Sequence, residues 1–164
     1  MEAVTYAARA LDGTFKLFNQ IADGMTPEQY NWQPGGTANP IAKTHIHAMT
    51  SVDFFINGIL ASTELRWKAF APLHGLPSNP TEVWGFSGEV SLEALKEYSR
   101  DVQQAALAYI SSLSDADLDR EVDTAFFGKQ TAAFMISLAG IHAMGHGGDM
   151  SAVKGLQGLK GLPF

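Results

Sequence analysis

The stretch GIHAMGHGGDM, residues 140–150, places two histidines and an aspartate in a segment that otherwise has the composition of an apolar helix. His142 and His146 are four residues apart, and Asp149 follows three residues later. On a helix, residues at this spacing lie on one face, and the two histidines are roughly 6 Å apart. Two imidazoles so placed can share one metal ion, to which Asp149 could be a further ligand or an acceptor that orients an imidazole.

The structural alternative is that these histidines simply belong to the core. A single buried histidine is more often hydrogen-bonded inside a protein than bound to a metal, and an i, i+4 pair alone is a weak signal. Two histidines aligned with core residues each need a partner or must stay neutral, and one shared ion satisfies both. The nearby Gly145, Gly147 and Gly148 are poor helix formers, which indicates close backbone approach to a neighbouring segment or a bound molecule.

A site with two histidines needs a third ligand from another helix. The stretch THIHAM offers His45 and His47, which point in rather opposite directions, so at most one of them is expected to join. Periodicity slightly favours His45, which falls on an apolar row. His47 falls on a row with small and polar members, as the wall of a cavity would, so the pattern alone leaves this choice open. His74 lies in a loop segment and is expected to be a surface residue, or to reach the site from outside, and not to be a ligand.

Four segments repeat apolar residues every three or four positions and therefore predict an all-α fold, a four-helix bundle. The first face runs from Val4 to Ala22, and the second helix follows Asn39 as N-cap and Pro40 as first residue, ending near Ala61. The third follows Ser91, and the fourth begins near Thr131. The predicted face of the fourth helix is Met135, Leu138, His142, His146, Asp149 and Val153. Long links after the first and second helices allow crossover connections.

The connecting segments carry fewer signals. Thr26, Pro27 and Glu28 predict a short helical turn, and Ser114 with Asp117 predicts a capped turn. Residues 71–90 read as a long irregular connection, which often borders a site. No convincing pair of strands is present, although residues 121–131 could hold a short extended stretch. The Gly-rich tail, residues 155–164, should not continue a helix well, and its leucines are expected to pack against the bundle.

Length and composition set outer limits on the fold and on the partners. The 164 residues fit one domain, predicted over 1–164, with a hydrophobic fraction of 46%. There is no apolar run long enough for a membrane span and no secretory signal pattern, so a cytoplasmic location is expected. The net charge of −6, with lysines and arginines spread along the chain, argues against binding nucleic acid or anionic membranes.

Three segments together resemble the DinB-like superfamily of metal-binding four-helix bundles. They are MTPEQYNWQP (25–34), NPIAKTHIHAMTSVDFFINGIL (39–60) and IHAMGHGGDMSAVKGLQGLKGLPF (141–164). The second resembles the family's helix in which one histidine precedes an acidic residue and paired aromatics, and alignment on VDFF makes that histidine His47. The third resembles the family's closing H-x-x-x-H-x-G helix. The resemblance covers essentially the whole chain.

The resemblance implies that His47, His142 and His146 bind one divalent metal ion, with waters in the open positions. It also implies a homodimer and an activity like that of family members that use low-molecular-weight thiols. The chain departs from the family pattern at Val52, where an acidic residue is common, and His45 is an extra histidine. Imidazole ligands make zinc or nickel the most plausible ion.

Two hypotheses of different classes follow for the function. The first is a metal-dependent enzyme, a thiol transferase or a hydrolase, acting on a small-molecule substrate. The chain has no cysteine, so a thiol would have to come from solution as a cosubstrate. The second is a metal-binding or small-molecule-binding bundle without catalysis. An open coordination position favours the first, and a closed set of protein ligands favours the second. A serine hydrolase is not indicated, because no G-x-S-x-G motif occurs.

Overall fold

The structure is a computed structural model that describes residues 1–162, and most of these residues are helical. In chain order the elements are α1 (Ala3–Ala22), α2 (Pro27–Asn31), α3 (Ile41–Val52) continued by a π-helical segment (Asp53–Leu60), α4 (Trp67–Leu73), α5 (Leu92–Ser111), β1 (Glu121–Thr124), β2 (Gly128–Thr131) and α6 (Ala132–Leu156). Short 3₁₀ turns occupy Pro80–Gly85 and Asp115–Asp119. The last two residues of the predicted domain 1–164 lie outside the described range.

The four long helices form a closed ring around one core. Helix α6 packs between α3 and α1, and α5 packs against both α1 and the α3 helix with its π segment. The ring order is therefore α1, α5, α3, α6, with α1 diagonal to α3 and α5 diagonal to α6. The predicted all-α four-helix bundle is confirmed. Crossovers occur where the chain passes between diagonal helices, in the α1–α3 and α5–α6 links, whereas the α3–α5 link joins neighbours.

Side-chain caps fix where most elements begin. The Thr26 hydroxyl accepts from the Gln29 amide in a complete capping box, and Ser91 and Thr131 accept from amides in the first turns of α5 and α6. Ser114 and Asp117 form the predicted capped turn. These starts are confirmed because each depends on a local hydroxyl or carboxylate that the sequence shows directly.

The second long helix differs from its prediction at both ends. Pro40 is the N-cap and Ile41 the first residue, one position later than predicted. From Asp53 the helix widens into a π-helical segment and does not continue as an α-helix. The Asp53 carboxylate is fully buried there and accepts hydrogen bonds from the Asn57 side chain, the Trp67 amide and the Tyr98 hydroxyl. A neighbouring side chain also comes close, since a Cβ on Gly58 would lie 2.8 Å from Leu65 Cδ2.

Two connections carry more structure than the sequence predicted. The link predicted to be irregular over 71–90 contains the end of α4 and a 3₁₀ turn at Pro80–Gly85. The segment with no predicted strand pair forms an antiparallel hairpin, in which Glu121 pairs with Thr131 and Thr124 with Gly128. The hairpin was missed because its strands are only four residues long, too short for a clear alternation of apolar and polar positions.

The end of the described chain follows its prediction only in part. Helix α6 continues to Leu156 and ends before Gly158, whose φ of +73° suits glycine. Leu159 packs against the core, whereas Leu156 is exposed. Among the described residues, no helix combines the length and the apolar character that a membrane crossing would require.

Candidate metal centre

Three histidines from two helices converge at one edge of the bundle. His47 comes from α3, and His142 and His146 come from successive turns of α6, which packs against α3. One ring nitrogen of each lies within 4.8 Å of the corresponding nitrogen of the other two. Within residues 1–162 this is the one group of three or more histidine, aspartate or glutamate side chains that is spaced to hold an ion.

The three rings also contact each other directly. Their centroids are 5.0 Å apart for His47 and His142, 4.8 Å for His47 and His146, and 4.5 Å for His142 and His146. Burial, and then the nearby His146, lowers the pKa of His47. Burial and the two neighbouring histidines lower the pKa of His142 to about 4. Both imidazoles are therefore neutral near pH 7, the form in which histidine binds metals.

His146 is oriented by a carboxylate. Its Nδ1 lies 2.9 Å from Asp149 Oδ2, one turn further along α6. Because the carboxylate accepts, Nδ1 is the donor, and in the neutral ring the lone pair is therefore on Nε2. Carboxylate–histidine pairs of this kind fix the tautomer and raise the basicity of imidazoles that bind metals.

His142 holds a polar atom with no partner in the protein. Its Nδ1 is buried, and within residues 1–162 it is the one buried side-chain nitrogen or oxygen that lacks a hydrogen bond. Leaving such a group unpaired is costly, and a bound ion at this nitrogen would remove the cost. The residues present therefore fit a metal ion by their chemistry.

The spacing of the three histidine nitrogens is close to that in a metal site. In a tetrahedral site with metal–nitrogen bonds of 2.0–2.1 Å, the ligand nitrogens would be roughly 3.3 Å apart. The upper limit of 4.8 Å between the three nitrogens is somewhat larger. Small rotations of half-buried rings would close that difference. That these residues bind a metal stays a prediction.

His45 lies away from this cluster, in the core. Its Nε2 is 2.9 Å from Ser99 Oγ, and its Nδ1 is 3.0 Å from the Tyr30 hydroxyl. Ser99 Oγ donates to the Leu95 carbonyl, so it accepts from His45, and Tyr30 donates to Nδ1. Both ring nitrogens are thus used inside the protein. His74 is exposed at the end of α4, where its ring packs 4.3 Å from that of Phe70.

Of Gly145, Gly147 and Gly148, one lets α6 pack closely against a neighbouring helix. Gly147 is buried, and a Cβ there would lie 3.2 Å from Ile21 Cδ1 and 3.4 Å from Phe18, so α1 approaches closely. Gly145 and Gly148 have no such neighbour within 4 Å.

The apolar face of α6 is rotated relative to the predicted one. The most buried positions are Met135, Ala139, Ala143 and Met150, and the histidines lie beside this row, half-buried.

Two aromatic rings at the site were not predicted as part of it. Trp84, from the 3₁₀ turn, lies 5.1 Å from the His47 ring, and Phe55 meets His142 edge-on at 5.8 Å. Phe55 is eight residues after His47, and an α-helix would turn about 80° past two full turns over that distance. The π-helical segment from Asp53 changes this rotation, so α-helical spacing alone does not place Phe55 beside the histidines. Trp84 lies in a segment without periodicity, so nothing in the sequence indicates its position either.

Comparison with known proteins gives one consistent result. The family model of the DinB superfamily matches residues 10–150. The uncharacterized protein YjoA of Bacillus subtilis is 24% identical over 148 residues, which are 89% of this chain and 85% of that protein.

Solved structures share the fold over nearly the whole chain. A conserved protein from Enterococcus faecalis superposes with a TM-score of 0.75 at 17% identity, over 95% of this chain and 97% of that one. The DinB-like protein YjoA from Bacillus subtilis superposes with a TM-score of 0.66 at 21% identity, over 97% and 96% of the two chains. At these identities the likeness concerns the fold.

Proposed function

The chain belongs to the DinB superfamily, and we propose that it is a metal-dependent enzyme in which His47, His142 and His146 hold one divalent ion. Zinc or nickel suits a set of three imidazoles best. The observation that carries this proposal is the convergence of three histidine nitrogens from two helices within 4.8 Å. The buried, unpaired Nδ1 of His142 supports it independently.

The proposed chemistry depends on a site with only three protein ligands. When bound, such an ion keeps its full charge and lowers the pKa of a water or thiol in an open position. The protein's part is to hold neutral imidazoles in place. Asp149 keeps the proton on His146 Nδ1, and the rings of Phe55 and Trp84 pack against His142 and His47.

The substrate side of the proposal follows from the composition. The chain contains no cysteine, so it has no thiolate of its own to act as nucleophile. We therefore propose that a low-molecular-weight thiol or a water acts as nucleophile toward a small-molecule substrate, in a thiol-transferase or hydrolase reaction. The alternative is a bundle that binds a metal or a small molecule without catalysis. It would be favoured if a fourth protein group closed the coordination sphere.

The decisive experiment measures the metal content of purified protein and of single alanine variants. We expect one equivalent of divalent metal in the wild type and much less in His47→Ala, His142→Ala and His146→Ala. His74→Ala is the matched control and should keep a full equivalent, because His74 is a surface residue. Full metal content in all three triad variants would rule out this site.

A second measurement separates the enzyme from the non-catalytic alternative. In cobalt-substituted protein, added low-molecular-weight thiols should change the visible spectrum if an open position exists. Thiols that change the spectrum would then be screened for transfer to small electrophiles. A four-coordinate spectrum that no thiol alters would support the non-catalytic bundle.

We also propose that the chain forms a homodimer, as the family resemblance implies. Light scattering in solution would test this, since the single chain has a mass of 17.7 kDa. A mass near twice that value is expected.

A further inference from the structure

An apolar wall extends from the histidine cluster along the edge of the bundle. It consists of Phe55 from the π segment, Phe127 from the hairpin tip and Phe134 from the first turn of α6. Phe55 contacts His142, Phe127 lies 6.5 Å from Phe55, and Phe134 lies 6.1 Å from Phe127, measured between ring centroids. The rings are thus continuous with the proposed metal centre.

Two rings of this wall are unusually exposed. Phe127 keeps 43% and Phe134 39% of its surface open to solvent. Single exposed apolar residues need no explanation, but a contiguous group beside a cluster of polar ligands marks a binding surface. Ligand sites typically combine apolar walls with a few convergent polar groups.

The hairpin holds Phe127 in place before any ligand arrives. The amide of Phe127 donates to Thr124 Oγ1, and the hydroxyl of this buried threonine donates to the Gly128 carbonyl. The Phe127 carbonyl accepts from the Gln130 side chain. Gly128 has a φ of +64°, which lets the tip turn tightly. A ring carried on a backbone held in this way needs little rearrangement of the hairpin tip on binding, which favours affinity.

The same hydrogen bonds determine what the wall can recognise. The Thr124 hydroxyl and the Gln130 amide nitrogen donate to backbone carbonyls of the tip, so these donors already have partners. A ligand lying along the wall meets ring faces and edges and gains from apolar and aromatic contact. The wall therefore suits an apolar group better than a charged one.

We propose that Phe55, Phe127 and Phe134 form the subsite for the apolar part of the substrate, an aromatic or bulky aliphatic group that would lie next to the three histidines. This inference rests on the proposed function, because the subsite has its meaning beside an ion with an open position. It adds the substrate class: a molecule whose reacting end is polar and whose other end is a ring or a branched hydrocarbon.

The test uses two metal-binding probes that differ only in their apolar part. Acetohydroxamate and phenylacetohydroxamate are titrated into cobalt-loaded protein, and the Kd of each is read from the visible spectrum. We expect phenylacetohydroxamate to bind at least about tenfold more tightly, since aromatic contact and ring burial together supply that much.

Variants locate this preference on the wall. In Phe127→Ala and Phe134→Ala, which change different elements, the ratio of the two Kd values should fall severalfold toward one. Phe126→Ala is the matched control. Phe126 is the neighbouring hairpin residue, is more exposed, and contacts Phe54, which is not part of the wall. It should keep the wild-type ratio, and circular dichroism confirms that each variant is folded.

The outcomes separate this inference from the proposed function. If acetohydroxamate binds and the phenyl group adds nothing, or if its gain survives in both wall variants, the subsite is wrong and the open metal site stands. If neither probe changes the cobalt spectrum, the open metal site is wrong, and the subsite that depends on it is rejected with it.

Discussion

His45 and His47 are two residues apart on α3 and have opposite surroundings. His45 is 1% exposed, and both of its ring nitrogens are hydrogen-bonded to Ser99 and Tyr30. Burial, more than the nearby Lys96, lowers the pKa of His45 to about 3, so it is neutral. His47 has no such partners and faces the two histidines of α6. The helix turns by roughly 200° over two residues, which is why only one of them reaches the cluster.

This difference predicts opposite phenotypes for two neighbouring alanine variants. His45→Ala should keep its metal but lose about 2–4 kcal/mol of unfolding free energy, because it leaves a cavity and an unpaired Tyr30 hydroxyl. His47→Ala should lose its metal and, in chelator, lose less than about 1 kcal/mol, as expected for a half-buried side chain without hydrogen bonds. Metal analysis and urea unfolding in chelator measure both effects. Metal loss in His45→Ala with retained stability would reverse the assignment.

Asp149 allows a second prediction at the residue scale. Asp149→Ala removes the acceptor from His146 Nδ1 and should weaken metal affinity by about 10–100-fold while leaving the fold intact. Asp149→Asn, which can still accept through its amide oxygen, should show a smaller loss. Competition with a chromogenic chelator gives the affinities. Unchanged affinity in the alanine variant would mean that Asp149 does not act on the site.

The three clustered histidines were easier to predict than their surroundings. His142 and His146 stand out because helical spacing is visible in sequence, and the family motif selected His47 where the pattern left a choice. Trp84 and Phe127 contact the site or its wall from a 3₁₀ turn and a hairpin tip. Such segments carry no periodicity, so their partners are set by tertiary packing alone.

At the scale of elements, the end of α6 is coupled to the end of α1. The buried ammonium group of Lys154 donates to the carbonyls of Ile21 and Asp23, each at 2.9 Å. These carbonyls lie where α1 ends and lack helical partners. Lys154 of α6 therefore supplies hydrogen bonds to two carbonyls at the end of α1.

Lys154→Met should test this coupling, since methionine fills similar volume without the donor. We expect a loss of about 1–3 kcal/mol in unfolding free energy, because a charged donor is removed and two carbonyls are left unpaired. Lys16→Met is the matched control. Its ammonium pairs with Asp12 on the surface, so less than about 1 kcal/mol is expected. Equal losses in the two variants would show that the Lys154 contacts contribute nothing specific.

The change from an α-helix to a π-helix at Asp53 could not be predicted from the sequence. The segment DFFINGIL is apolar on several sides, so its pattern does not distinguish an α-helix from a π-helix, and the sequence predicted one helix to Ala61. Tertiary contacts select the wider π-helical turn. Asp53 is buried and collects donors from Asn57, Trp67 and Tyr98, two of which lie in other elements. Asp53 thus has a structural role in holding three elements of the bundle together.

At the scale of the whole molecule, apolar faces predict that four helices pack together but not which ones are neighbours. The order α1, α5, α3, α6 places α6 against α3, and this contact brings His142 and His146 to His47. In α3 and α6 the core is built by a different row of residues from the one that carries His47, His142 and His146. The core and the histidine cluster are therefore largely separate parts of the same bundle.

This separation predicts how the protein would respond to removal of a metal ion bound by the three histidines. Chelation should lower the melting temperature but leave the helical circular dichroism signal at 25 °C, because the buried core does not include the triad side chains. With metal present at about a thousand times its Kd, binding adds about 4 kcal/mol, which corresponds to a shift of roughly 8–16 °C for a chain of this size. His142→Ala is the control, since a protein without the site should melt at the same temperature with and without chelator. Loss of the helical signal in chelator would show instead that the bundle needs its ion to fold, as small zinc domains do.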